Sequence, residues 1–149
     1  MSEPSGKFGP VGASGAAIVA HYAPRMQPHK NQPFRARLRF ALAGLVAAVR
    51  SERSLRLQLA ALGAVIVGLA VLRVEPLWWA IVGLTGAAVL SAELFNTALE
   101  HLADHLHPER HPQVRLVKDI AAAAVLVAAC AALVVAVALA VHLKSGPHL

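Results

Sequence analysis

Glu93, Asn96 and Glu100 follow one another at spacings of three and four residues, and Asp104 comes four residues later. On an α-helix this spacing puts all four side chains on one face. Glu93 and Glu100 repel if both are ionised, and a carboxylate in or near a bilayer is costly without a cationic partner. A divalent cation resolves both problems. Oxygen ligands suit Mg²⁺, which takes one or two protein carboxylates, keeps several waters and binds substrate phosphates through its remaining positions. Two more polar clusters stand elsewhere in the chain: Glu52 among arginines, and the Lys118-Asp119 pair. A lysine beside a carboxylate at a helix start suits a phosphate contact next to a metal or sugar-hydroxyl contact. Helix-end charge decoration explains any one of these residues. A shared polyanion-and-metal site explains the set better, because all its members map to one depth.

The elements that carry these residues follow from the rest of the chain. Of 149 residues, 57% are hydrophobic and 15% charged, more apolar surface than a water-soluble domain of this size can cover. Three runs lack Asp, Glu, Lys, Arg and His: 57–72, 76–92 and 120–141, which are 16, 17 and 22 residues long. Each approaches the roughly 20 residues that a bilayer core requires. The first is bounded by Arg56 and Arg73, which can snorkel to the interface. The second continues helically past Glu93 if that carboxylate faces the protein interior. The pattern predicts an all-α membrane protein with transmembrane helices over 55–73, 76–100 and 118–142. Buried helices of a soluble protein are the alternative for the two shorter runs, but three such runs leave little chain to form a wet surface.

Charge gives the orientation. Nine basic residues precede residue 57, and Arg110, Arg115 and Lys118 lie in the second connection, against Arg73 and Lys144 on the opposite side. The positive-inside rule then puts the N-terminus and the second connection in the cytoplasm. The net charge of +6 thus reports topology and does not call for nucleic acid. Trp78 and Trp79 suit an aromatic belt at the outer interface. Phe34, Leu38, Leu42, Leu45 and Val49 form a helical stripe, with Arg35, Arg39, Arg50 and Arg53 on the polar side. This predicts an amphipathic surface helix over 34–54 whose arginines meet anionic headgroups. Residues 1–33, rich in Gly, Pro and Ser and without an apolar h-region, read as a disordered extension. Cys130 lies mid-span and packs as a small apolar side chain. His101, His105, His107 and His111 raise a transition-metal site, but Pro108 and Pro112 mark a loop and no third ligand has a fixed spacing.

The run Glu93-Leu94-Phe95-Asn96-Thr97-Ala98-Leu99-Glu100, then Asp104, then Lys118-Asp119-Ile120-Ala121-Ala122-Ala123-Ala124-Val125-Leu126, resembles the signature of the small prokaryotic diacylglycerol kinase and undecaprenol kinase family. Upstream, Ala41-Leu42-Ala43-Gly44-Leu45 and Ser51-Glu52-Arg53-Ser54-Leu55-Arg56 resemble its amphipathic segment, so the likeness covers residues 34–142. The resemblance implies a homotrimeric membrane kinase that uses Mg²⁺ and ATP to phosphorylate a lipid alcohol. It implies that Glu93 is the general base and that Glu52 and Glu100 hold the metal. It also implies that Asn96, Lys118, Asp119 and Arg39 contact the nucleotide and its phosphates. Gln58 and Ala41 depart from the diacylglycerol-preferring branch, which tends to carry Glu and Ser there, and bring the wording closer to the undecaprenol branch.

Phosphoryl transfer needs mainly alignment and charge neutralisation, so a metal, a lysine and a base at the membrane surface can suffice. No Walker motif is present: Gly9, Gly12 and Gly15 lack a following Gly-Lys-Ser/Thr. The competing reading is a noncatalytic assembly factor or transporter subunit. A transport path carries polar groups at mid-membrane, whereas the span centres here are Ala, Val, Leu and Gly.

Overall fold

The computed structural model describes residues 33–106 and 111–146. The expected disorder of 1–33, apart from its last residue, lies outside the described residues, as do His107 and Arg110. Among the described residues there are four helices and no strand: α1 (Phe34–Ser51), α2 (Arg53–Val71), α3 (Pro76–Leu106) and α4 (Pro112–Ser145). Helices α2, α3 and α4 are each long and apolar enough to cross a membrane. At 1.5 Å per residue they measure about 28, 46 and 51 Å against a hydrocarbon core of about 30 Å, so α3 and α4 outrun the bilayer by several turns.

The chain divides into two compact units, 1–47 and 48–149. The first holds most of α1, which starts where the N–H groups of Ala36 and Arg37 donate to the Pro33 carbonyl. No residue of α1 is buried, and the stripe of Phe34, Leu38, Leu42 and Leu45 is exposed along its length.

In the second unit the helix boundaries have local causes. Glu52 takes an extended conformation (φ −101°, ψ 122°) and separates α1 from α2. The expected surface helix over 34–54 is therefore cut at Ser51. Arg56, expected to snorkel, instead turns its guanidinium onto the carbonyls of Val49 and Arg50 at 3.1 and 3.0 Å, satisfying acceptors that the end of α1 leaves open. Helix α2 ends in a Schellman motif. Val74 N–H donates to Leu69 O and Arg73 N–H to Ala70 O, with Arg73 in the left-handed region at φ 51°. Val74 also packs on the apolar cluster that contains Leu69, the contact that usually completes this motif. Pro76 then opens α3, and α4 opens with His111 as N-cap, its Nδ1 accepting from Gln113 N–H, and Pro112 in the first turn.

Helices α3 and α4 form the closest pair, and α2 packs on α3. On α4 the less exposed positions are Val114, Lys118, Ala121, Val125 and Ala128, and the pattern runs on to His142. They alternate in steps of four and three, the repeat of a coiled-coil seam, and alanines within it let two backbones approach. Gly86 serves the same end between α2 and α3, where an added Cβ would stand 2.6 Å from Leu62 Cδ1. The apolar core, Leu69, Val82 and Leu139 with Leu62, Val74, Trp78 and Val135 against it, lies near the α2–α3 turn. There Trp78 also meets His142, ring centroids 5.3 Å apart.

Candidate functional site

Away from that turn the packing becomes polar. Glu93 lies seventeen residues into α3 from Pro76, and Ser54 the same distance back along α2 from Val71. Both stand about 26 Å from the turn, just inside the far edge of a hydrocarbon core about 30 Å thick. Antiparallel packing therefore brings them level. Glu93 is only 6% exposed, and α2 supplies both of its partners: Ser54 Oγ donates to Oε1, and Gln58 Nε2 donates to Oε2 at 3.2 Å. The other amide atom, Gln58 Oε1, is buried without a hydrogen-bond partner. A carboxylate can only accept, so the contact with Glu93 fixes which way the amide points.

One turn further along α3, Asn96 Nδ2 donates to Glu100 Oε1 at 2.9 Å. The same logic fixes the Asn96 amide and leaves its Oδ1 buried and unpartnered beside a half-buried carboxylate. Beyond them Asp104 receives Lys118 Nζ from the α4 seam in an ion pair, with Lys118 less exposed than its partner. The stripe thus lies wholly on α3, and its two ends are answered by different helices, Glu93 by α2 and Asp104 by α4. Asp119 is not drawn in: it is exposed and pairs with Arg115 Nε at 3.8 Å along its own helix. Glu52 sits half-buried at the break between α1 and α2, and its carboxylate makes no capping hydrogen bond. Arg39, in the N-terminal unit, is exposed, its guanidinium 5.9 Å from the centroid of the adjacent Phe40 ring.

The donors fit Mg²⁺. Among the described residues no three His, Cys, Asp or Glu side chains gather closely enough to hold a metal. An ion needing only one or two carboxylates does not require such a group. The orphaned Asn96 Oδ1 beside Glu100 is an oxygen with lone pairs to give and nothing to give them to. His101 and His105, read from sequence as loop residues, lie on the last turns of α3, which runs to Leu106. The contacts from Ser54 and Gln58 to Glu93 were missed. The available signal was two polar residues at i and i+4 on a helix that is otherwise apolar from Leu55 onward, apart from Arg56.

An elongated apolar cavity of about 570 Å³ runs from Gln58 between α2, α3 and α4, lined by Leu62, Val65, Val89, Leu133 and Leu139 among others. Gln58 and Thr85 are its polar lining residues, and Gln58 is the residue whose amide donates to Glu93.

Residues 39–140 match the prokaryotic diacylglycerol kinase family. The chain belongs to that family. A relative from Synechocystis sp. named diacylglycerol kinase is 38% identical over 98 residues, which is 65% of this chain and 56% of the relative. Another, from Bacillus subtilis and named undecaprenol kinase, is 34% identical over 84 residues, covering 56% of this chain and 68% of the relative. The chain thus spans little more than half the length of the first. No solved structure matches it. The residues named above, from Arg39 to Asp119, all fall within the segment that matches the diacylglycerol kinase family.

Proposed function

We propose that this protein transfers the γ-phosphate of ATP to the hydroxyl of a membrane lipid alcohol, undecaprenol or diacylglycerol, at the cytoplasmic face of a bacterial inner membrane. The observation that carries this reading is Glu93: a buried carboxylate in a chain of a kinase family, hydrogen-bonded to the Gln58 amide that lines an apolar cavity. A lipid alcohol presents its hydroxyl at that depth and its chains to hydrocarbon. The cavity suits one such chain. Glu93 then accepts the hydroxyl proton as the lipid oxygen attacks phosphorus.

Glu100, Asn96 through its free Oδ1, and Glu52 hold Mg²⁺, which when bound supplies charge neutralisation on the phosphate oxygens. Lys118 has three N–H donors; one is spent on Asp104, and two remain for phosphate. Asp104 thereby keeps the ammonium in place. The family resemblance also implies nucleotide contacts for Asp119 and for Arg39, each of which is exposed on its own helix. The family resemblance implies a homotrimer as the active form, in which the exposed apolar side chains of α4 would meet lipid or a neighbouring subunit. The exposed stripe of α1 lies on the membrane with its arginines at the headgroups, and the basic excess keeps the N-terminus cytoplasmic.

The test is an assay of the purified protein in lipid with Mg²⁺-ATP and, separately, undecaprenol and diacylglycerol. Phosphate transfer to one or both is the expected result. Folded trimer that phosphorylates neither lipid overturns the proposal.

A further inference from the structure

Ser54 reaches from α2 to a carboxylate on α3. Glu93 comes from α3, yet both donors that hold its carboxylate come from α2, and Ser54 and Gln58 stand one helical turn apart so that each meets a different oxygen. Among the described residues Glu93 is in no ion pair. The direction in which its free lone pairs point is therefore set by these two neutral donors. Without one of them the carboxylate can swing about its terminal torsion, which is broad and nearly two-fold. Gln58 is itself only half secured, since its own far end is unpartnered. Ser54 is exposed, and the one hydrogen bond its side chain makes among the described residues is to Glu93. Its hydroxyl thus serves the carboxylate and not the packing of the helix.

We propose that Ser54 is a positioning residue, whose hydroxyl aims the Glu93 carboxylate at the acceptor hydroxyl of the lipid. This rests on the reading of Glu93 as the base. A base must lie within hydrogen-bond reach of the proton it takes, and a small misplacement costs rate without costing affinity.

The experiment compares full-length wild-type protein with Ser54→Ala and Ser54→Thr in lipid, using Mg²⁺-ATP and whichever of the two lipids the wild type accepts. A hydrogen bond to a charged group accounts for about a ten- to a hundredfold effect, so Ser54→Ala should lose that much in kcat with the KM for ATP unchanged. Ser54→Thr, which keeps the hydroxyl, should recover most of the rate. In parallel, infrared difference spectra between wild type and Glu93→Gln isolate the carboxylate band of Glu93, and that band should move in Ser54→Ala and return in Ser54→Thr. An unchanged kcat or an unmoved band in Ser54→Ala overturns the role of Ser54 while the kinase reading stands. Failure of Ser54→Thr to recover rate or band also overturns it. Wild-type protein that phosphorylates neither lipid overturns the kinase reading, and the role of Ser54 falls with it.

Discussion

The two ends of the α2–α3–α4 bundle are held in opposite ways. At the α2–α3 turn Leu69, Val82 and Leu139 are buried together, Trp78 meets His142, and the Schellman motif tucks Val74 onto the cluster. At the other end the helices meet through Ser54, Gln58 and Glu93, and through Asp104 and Lys118. Apolar packing in a membrane is gained from close fit, since lipid tails are as apolar as leucine. Polar contacts at the far end are made between groups that would otherwise lie bare near hydrocarbon, and two of them, Gln58 Oε1 and Asn96 Oδ1, are left incomplete. One end is built to stay together, and the other keeps unsatisfied groups available for a ligand. Stability and chemistry are thereby separated along the helices, and the separation can be tested from either side.

The largest effect is expected at the polar end. Glu93→Gln should lower kcat by about a hundred- to ten-thousandfold, the usual contribution of a general base, while the trimer still forms and binds nucleotide. Retained turnover would reject Glu93 as the base. At the turn, Leu69→Ala should cost about 2–3 kcal/mol of stability in unfolding from mixed micelles and leave kcat of the folded protein unchanged. A large loss of kcat without loss of stability would show that the two ends are not separate. Arg73 holds a left-handed conformation that glycine adopts freely, so Arg73→Gly should raise stability by about 1 kcal/mol without altering kinetics. The smallest change in stability is expected from Asp104→Asn: the pair it breaks is partly exposed and contributes about 0–1 kcal/mol. Its signature is kinetic, a rise in the KM for ATP as Lys118 loses its anchor. An unchanged KM would remove Lys118 from the phosphate contacts.

Much of the bundle was legible beforehand because its signals are local. An uncharged run reports a span whatever its neighbours do, and the runs over 76–92 and 120–141 lie within α3 and α4, while the run over 57–72 passes the end of α2 by one residue, the C-cap Leu72. Helix ends were less legible. Helix α3 continues to Leu106 and α4 starts at Pro112, because charged residues beyond the bilayer are as good at forming helix as apolar ones. Glu52 breaks the chain between α1 and α2, a break that no proline or glycine announces. The polar stripe on α3 was readable from its spacing, but which residues answer it was not.

The sequence by itself determined that three segments are long and apolar enough to cross a membrane, that basic residues are spread unevenly among the connections, and that Glu93, Asn96, Glu100 and Asp104 share one helical face. These follow from composition and from the periodicity of a single helix. Only the tertiary structure decided that Glu93 is the buried acid, that Ser54 and Gln58 hold it, that Lys118 belongs to Asp104, and that Asp119 faces away. Those pairings join residues 14 to 39 positions apart. They depend on how far each helix runs from the tight turn at Arg73 before it meets its neighbour, a register that no local property of either helix contains.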